Sequence, residues 1–459
     1  MIPVNETGIS SIFTTFVQVN QQLDMIDNSL FNNKKVAFHT LGCKLNFAET
    51  SAIGKQLSDE GFVKVKPGEQ ADVCIINTCS VTDTADHKCR QAINRLNRLH
   101  PNAVMIVTGC YAQLKPEEIA SIEGVDLVLG ANEKFSILDY LNNNDPSVKG
   151  EIHRTDILKV KEFKPSCSSD DRTRYFLKVQ DGCDYYCTYC TIPVARGHSR
   201  NATIQETVNM AIQAIQNGAK EIVLTGINTG DFGKSTGENF FDLVKVLDAL
   251  PNEIRFRISS IEPNLLTNEL ISFVAQSNHF MPHFHIPLQS GSNEVLRLMK
   301  RRYTREMFAE KVATIKKILP DAFIGVDVIV GVRGETDELF NQGLSFIKSL
   351  DISQLHVFSY SERAGTKMLE IDHVVSSIDR KGRSEALHLL SDEKTSIFYN
   401  LQTGKTAHVL WESRQNGDKM VGFTDNYIRV ERPYDKKSVN TIHSVTLGEW
   451  NEEKSALMC

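Results

Sequence analysis

Residues 1–33 are polar and carry no turn-bounded core pattern; the expectation is an extension with a short helix around "IFTTFVQVNQQLDMI". From Lys34 the pattern changes. Apolar runs such as "KKVAFHTLGC", "ADVCIINTC", "NAVMIVTGC" and "VDLVLGA" alternate with amphipathic stretches such as "FAETSAIGKQLSDEG" and "TADHKCRQAINRLNRLHP". Continuous apolar runs fit strands buried on both faces, and strands alternating with helices build a doubly wound parallel sheet. This first α/β unit is expected over 34–147, ending at the "NDPSVKG" linker.

After a charged connector, a second βα series begins at "YFLKVQDGC" and continues through "EIVLTG", "RFRISSI", "HFHIPLQS", "FIGVDVIVG" and "SQLHVFSYS". Six strands separated by helical stretches predict a partial (β/α)6 TIM-type barrel over 169–400, open because two units are missing. From Leu401 the pattern switches to period-two alternation with turn residues, and "QNGD" marks a hairpin. A small antiparallel β-barrel over 401–459 is the economical reading.

At 459 residues the chain exceeds what one core supports, consistent with these three units. Ten cysteines are too dilute for a disulfide scaffold, and residues 1–33 hold no Lys or Arg to begin a secretory signal. A reducing, cytoplasmic setting is expected. No apolar run approaches the roughly 18 residues that cross a bilayer; even "FIGVDVIVGV" carries Asp327. The formal net charge of −6 excludes indiscriminate polyanion binding, so contact with nucleic acid must come from local patches.

Two sets of three cysteines carry the candidate chemistry. Cys43, Cys79 and Cys110 each fall where a predicted strand ends, in "TLGC", "INTC" and "VTGC". Ligands of open parallel sheets collect beyond the carboxyl ends of strands, so three such thiols can converge on one site although far apart in sequence. The competing reading is three small buried hydrophobes. That reading suits Cys74, which lies inside a strand, and Cys89, Cys167 and Cys459 are likewise taken as incidental.

Cys183, Cys187 and Cys190, in "DGCDYYCTYCTIPVARG", occupy the loop after the first barrel strand, on the face where barrel active sites sit. A structural zinc site with His198 as fourth ligand is one possibility. A cubane iron–sulfur cluster held by three cysteines is the other, and it would leave one iron open to a small molecule. Thiolates are soft ligands suited to iron–sulfur chemistry.

CxxxCxxC with Tyr189 before its last cysteine resembles the signature of radical S-adenosylmethionine enzymes, and "CDYYCTYCTIPVARG" is similar to their methylthiotransferase subgroup. Dispersed cysteines, barrel and terminal β-unit match that family's three-part order over roughly residues 34–459. The resemblance implies two [4Fe-4S] clusters. That held by Cys183, Cys187 and Cys190 would bind S-adenosylmethionine and yield a 5′-deoxyadenosyl radical on reduction by an electron donor protein. The auxiliary one, at Cys43, Cys79 and Cys110, would take a methyl group from a second S-adenosylmethionine and deliver methylthio to substrate, so two would be used per turnover.

The same resemblance makes Gly226, Asn228, Ser260, Glu262, Gln289, Ser290, Asp327 and Gly331, with Tyr189, candidate contacts to the cosubstrate; each could equally be a turn or packing residue. Where relatives often carry Phe-Pro before "GET", this chain has Val332 and Arg333. No acid–base pair is needed, and His283, His285 and His356 are read as strand or core residues.

"LGCKLNFAET", with Lys44 and Leu45 after the first cysteine, resembles the branch acting on threonylcarbamoyl-modified adenosine beside the tRNA anticodon. The branches acting on isopentenyl-adenosine or on a ribosomal protein aspartate are the alternatives, and a zinc-dependent RNA-binding protein is the non-enzymatic one. The terminal unit, with "GFTDNYIRV", resembles the TRAM module, an RNA-binding barrel, although its eight Lys/Arg balance eight Asp/Glu. Lys300, Arg301, Arg302 and Arg305, with Arg196 and Arg200, are candidate phosphate contacts in an anticodon stem-loop complex, and Tyr427 a base-stacking residue. Neither a membrane nor DNA is an expected partner.

Overall fold

The computed structural model describes residues 33–459 apart from 67, 144–147, 169–172 and 252; the short helix expected near residues 12–26 lies outside the described residues. Six strands form the first sheet: β1 (Lys35–Thr40), β2 (Val63–Lys64), β3 (Val73–Thr78), β4 (Val104–Gly109), β5 (Leu127–Leu129) and β6 (Glu151–His153). Their order is β2-β1-β3-β4-β5-β6 with every neighbour parallel. β3 reads "VCIINT" and is buried throughout, because helices cover both faces and two separate apolar cores fill the gaps. Strand β6 extends this sheet beyond the residue-147 boundary. It is three residues long, with only Ile152 apolar, so it leaves no periodic trace in the sequence.

The second unit has an antiparallel edge strand, β7 (Ser166–Cys167), ahead of its expected start at 169. Six parallel strands follow: β8 (Arg174–Lys178), β9 (Glu221–Thr225), β10 (Arg255–Ile258), β11 (His283–Gln289), β12 (Phe323–Val330) and β13 (Gln354–Ser359). A parallel bridge between Phe256 and Phe280, whose rings stack at 5.3 Å, joins the two halves where β10 meets β11. This is the open six-stranded barrel. Outward residues such as Leu177, Ile222, Phe256, Ile286 and Val326 are buried under the helices in the largest core. Many inward residues are polar by contrast, among them Lys178, Glu221, Arg257, His285 and Asp327.

That polar concave face is covered by the other two units. The helix Lys44–Asp59 brings Ala48 against Phe176 and Val223 of the barrel. From the other side, Arg257 donates to the carbonyls of Thr424 and Asp425 at 2.7 Å each. The third unit is a curled five-stranded sheet, β14 (Thr406–Asn416), β15 (Lys419–Thr424), β16 (Arg429–Pro433), β17 (Ile442–Thr446) and β18 (Leu457–Met458), in the order β17-β14-β15-β16-β18. Gly448 N donates to Met458 O at 2.7 Å, which draws the two edges together around Trp411, Met420 and Val430. Among the described residues, no helix is long and apolar enough to cross a membrane.

Candidate active site

β1, β3 and β4 are adjacent, with Thr40 opposite Asn77 and Thr78 opposite Gly109. Cys79 and Cys110 follow the ends of β3 and β4 directly and Cys43 lies three residues beyond β1, so the ladder itself brings the thiols together. A Cβ added to Gly42, at φ +108°, would lie 2.8 Å from Cys79 Cβ, so only glycine lets the two segments approach this closely. Burial, with Cys110 and Cys43 as further neighbours, pushes the Cys79 thiol up to about 12. Asn46 ties the site down: its amide donates to Leu41 O at 2.8 Å and to Thr78 O at 3.0 Å, and its Oδ1 faces Cys43 Sγ at 3.9 Å.

The second triplet lies on the loop after β8. Cys190 N donates to Cys187 O at 3.0 Å, and Tyr185 N to Cys183 Sγ at 3.4 Å, so the loop wraps its own thiols. Burial raises Cys183 and Cys190 to about 12, with Cys187 a further cause for both. Cys79, Cys110, Cys183, Cys187 and Cys190 are therefore soft donors that stay protonated until a cation displaces the protons, whereas the Cys43 side chain is exposed. The donor sets fit a thiolate-bound cluster. His198 turns instead to Asp184, with Nδ1 2.8 Å from Oδ1, at the exposed rim.

Arg301 fixes the second triplet from across the barrel mouth. Its Nη1 donates to Cys187 Sγ at 3.1 Å, its Nε to Tyr303 Oη at 3.1 Å, and its Nη2 pairs with the Glu262 carboxylate. Burial raises the carboxyl of Glu262 despite this partner. Arg301 is thus buried in the site and cannot grip phosphate, contrary to the sequence expectation. Its charge satisfies a buried carboxylate and a sulfur, a demand that a run of basic residues does not reveal.

Arg196 and Arg200 need the same correction. Arg196 is 1 % exposed and links the two halves of the site. It donates to Glu49 Oε1 at 3.1 Å, Asp181 Oδ1 at 3.0 Å and Asn46 Oδ1 at 2.5 Å. Lys134 and Lys178 also pair with Glu49, at 2.5 and 2.9 Å. Burial alone would raise the Glu49 carboxyl, but Arg196, Lys134 and Lys178 hold it well below the usual carboxylate range. Arg200 is buried as well, donating to Asp181 Oδ2 and to the carbonyls of Arg196 and Glu162. Tyr427, at φ +66°, faces inward. It receives a hydrogen bond from Arg174 at 3.2 Å and lies 4.4 Å from the His283 ring, so it is no exposed stacking platform.

Lys300 and Arg302 are exposed; Arg302 stacks over Tyr185 at 4.0 Å and donates to Asp184 O, whereas half-buried Arg305 pairs with Glu306. A cleft of about 630 Å³ that the charge count had hidden lies between β8 and the β14–β15 hairpin, with Arg174, Arg414, Arg429, Gln415 and Asn416 in its walls.

Asn228 is 2 % exposed, faces Asp231, and leaves both amide atoms without a well-formed hydrogen bond. Burial holds the Asp231 carboxyl above its ordinary value. Gln180, overlooked in the sequence, shapes this loop: its Oε1 accepts from the backbones of Ile227 and Asn228 at 2.9 Å, and a Cβ on Gly226 would meet it at 3.1 Å. Ser260 contributes its carbonyl to Thr229. Gln289, at φ +64°, has an unpaired Oε1, while the Ser290 hydroxyl accepts from Ser292 N. Tyr189 packs with Val295, Met299, Val332, Tyr360 and Met368, which gives Val332 a core role in the departing "GVRGET" segment. Gly331, at φ +73°, donates its N–H to Glu335 at 2.6 Å and abuts Arg380, so it is a turn residue.

Asp327 lies mid-strand in β12, deeper than the barrel rim. His285 Nε2 is 2.7 Å from its Oδ1, and His356 stands edge-on to His285 at 5.1 Å. Ligand atoms of the three lie within 4.8 Å of one another. Lys44, the first residue of its helix, reaches this chamber. Burial lowers its pKa, while Tyr427 and Asp327 raise it.

These features define the class: an open βα barrel whose mouth carries a three-cysteine loop, with a second thiol triplet facing it from a separate domain. Residues 177–347 match the radical SAM superfamily model, which implies S-adenosylmethionine and a [4Fe-4S] cluster, and residues 35–130 match the uncharacterized protein family UPF0004. The chain is 40 % identical over 405 residues to threonylcarbamoyladenosine tRNA methylthiotransferase MtaB of Bacillus subtilis, covering 86 % of this chain and 89 % of that protein. The corresponding protein of Aquifex aeolicus is 37 % identical, with 87 % and 96 % covered. The chain therefore belongs to the radical SAM tRNA methylthiotransferase family. The fold is similar to that of the radical S-adenosylmethionine methyltransferase TsrM from Kitasatospora setae, with a TM-score of 0.52 at 13 % identity over 71 % of this chain and 75 % of that one.

Proposed function

We propose that this protein is a tRNA-modifying enzyme that places a methylthio group on C2 of N6-threonylcarbamoyladenosine next to the anticodon. The observation that supports it most is the presence of two thiol triplets in domains joined through buried Arg196, Glu49 and Asp181, in a chain 40 % identical to a relative named for that reaction. Cys183, Cys187 and Cys190 would hold the cluster that binds S-adenosylmethionine, and Cys43, Cys79 and Cys110 an auxiliary one. When bound, these groups supply the one-electron chemistry and the sulfur, with two S-adenosylmethionine molecules consumed and an electron donor protein required.

The protein's own contribution is placement. Arg301 holds a positive charge against Cys187 and orients Glu262 toward the mouth. Asn228 and Asp231 offer unmatched polar atoms to the cosubstrate. The helix Lys44–Asp59 and the Tyr427 turn cover the concave face and exclude bulk water, as radical chemistry demands. Lys300 and Arg302, with Arg414 and Arg429 of the cleft, are the accessible cations suited to an RNA backbone. Mass spectrometry of tRNA nucleosides from a deletion strain tests the reading: the methylthio form should vanish and its threonylcarbamoyl precursor accumulate. Loss of a methylthiolated dimethylallyl nucleoside instead would move the enzyme to the other tRNA branch.

A further inference from the structure

Lys44 brings an unmatched cation into a chamber where, among the described residues, Arg174, Arg257 and Asp327 all have partners. Arg174 pairs with Glu412 at 2.7 Å, and Arg257 with Glu221 at 2.8 and 3.0 Å. Asp327 Oδ1 lies 2.7 Å from His285 Nε2. The Lys44 ammonium, by contrast, makes no ion pair or hydrogen bond among the described residues, although Tyr427, Arg174, Arg257 and Asp327 all lie within its electrostatic reach, as do His283 and His356. A half-buried ammonium without a counter-ion is costly, so the position suits an anionic partner.

Its surroundings say which one. Lys44 follows Cys43 directly. Asp327 lies within electrostatic reach of Glu262, which pairs with Arg301, which donates to Cys187 Sγ. The ammonium therefore connects the dispersed triplet to a polar chamber that leads through Asp327, Glu262 and Arg301 to the barrel triplet. The cleft lined by Arg174, Arg414 and Arg429 shares Arg174 with the surroundings of Lys44 and suits an incoming polyanion. His285, Asp327 and His356 could in geometry hold a divalent cation, but the neighbouring ammonium opposes one. An anion fits.

We propose that Lys44 binds the carboxylate of the threonyl group on N6 of the substrate adenosine. In adenine C2 and C6 flank the same ring nitrogen, so anchoring the N6 substituent at Lys44 directs C2 toward Cys43, Cys79 and Cys110. Lys44 is then a specificity-determining residue. The inference rests on the tRNA reading above and deepens it.

Binding of the reconstituted holoprotein to two anticodon stem-loops tests it, one carrying threonylcarbamoyladenosine and the other the same nucleoside with its carboxylate converted to carboxamide. A charge-assisted contact predicts wild-type preference for the acid by about tenfold to hundredfold. Lys44→Gln should lose that preference by binding the acid more weakly, whereas Lys44→Arg retains part of it. Equal wild-type binding of acid and carboxamide overturns the inference, and this comparison needs no variant. Equal weakening of both stem-loops in Lys44→Gln also overturns it, as does weaker S-adenosylmethionine binding with the stem-loop preference intact, which would mark the methionine carboxylate as the partner. In the first case, methylthiolation of the acid substrate leaves the proposed reaction standing. Modification of a dimethylallyl stem-loop alone overturns both.

Discussion

The two thiol triplets are assembled by opposite routes. Cys183, Cys187 and Cys190 come from a single loop that hydrogen-bonds to its own Cys183 sulfur, and from farther along the chain Arg301 brings a full charge to Cys187. Cys43, Cys79 and Cys110 come from three strand ends and depend on the register of a whole sheet. They depend as well on a buried charge network drawn from the first domain and the barrel. The local triplet is thus set by sequence spacing, and the dispersed one by tertiary structure. Damage far from the sulfurs should reach only the second.

Removing one thiol from each triplet should give the largest effects and separate them. Cys187→Ala is expected to abolish S-adenosylmethionine cleavage, followed as 5′-deoxyadenosine release. Cys79→Ala should permit cleavage and block methylthio transfer, followed by nucleoside mass spectrometry. Cleavage persisting in the first variant would dissolve the division of labour.

Glu49→Gln attacks the dispersed site from a distance. It leaves Lys134, Lys178 and Arg196 facing Asp181 alone in a buried space, and a cost of about 3–5 kcal/mol in denaturant unfolding is expected. A loss below about 1 kcal/mol would show that the network is not essential to the domain contact. The pH dependence has a definite sign. Because the folded Glu49 carboxyl titrates below its ordinary value, its contribution is present above about pH 4.3 and is lost as the pH falls toward the folded value. Unfolding of Glu49→Gln should therefore depend less on acid over that window than unfolding of the wild type.

The smallest effects belong to the surface cations. Arg302→Ala should weaken stem-loop binding severalfold and lower the salt slope by about one unit, as loss of one phosphate contact requires. Arg200→Ala should leave that slope unchanged, because Arg200 is turned inward to Asp181. A reduced slope in Arg200→Ala would restore it to the RNA surface.

The three-unit order and both triplets were legible in the sequence because each left a local mark: a strand end before each dispersed cysteine, a fixed spacing in the loop, a period change at Leu401. The fates of Arg196, Arg200 and Arg301 were not. Arg196 meets Glu49 across 147 residues of chain, and Arg301 meets Cys187 across 114, so periodicity cannot distinguish either from a solvated basic residue. Lys44 carried a faint signal as the residue after the first cysteine; its chamber exists only once three domains meet. The short edge strand β6 failed for a simpler reason, since three residues hold no period.

The most direct test of two separate clusters is iron and acid-labile sulfide per chain after anaerobic reconstitution, measured with the wild type and two triple variants. About eight of each are expected for the wild type, and about four when Cys43, Cys79 and Cys110, or Cys183, Cys187 and Cys190, are all replaced by alanine. Four in the wild type with none after loss of the barrel triplet, or zinc in place of iron, would contradict the account.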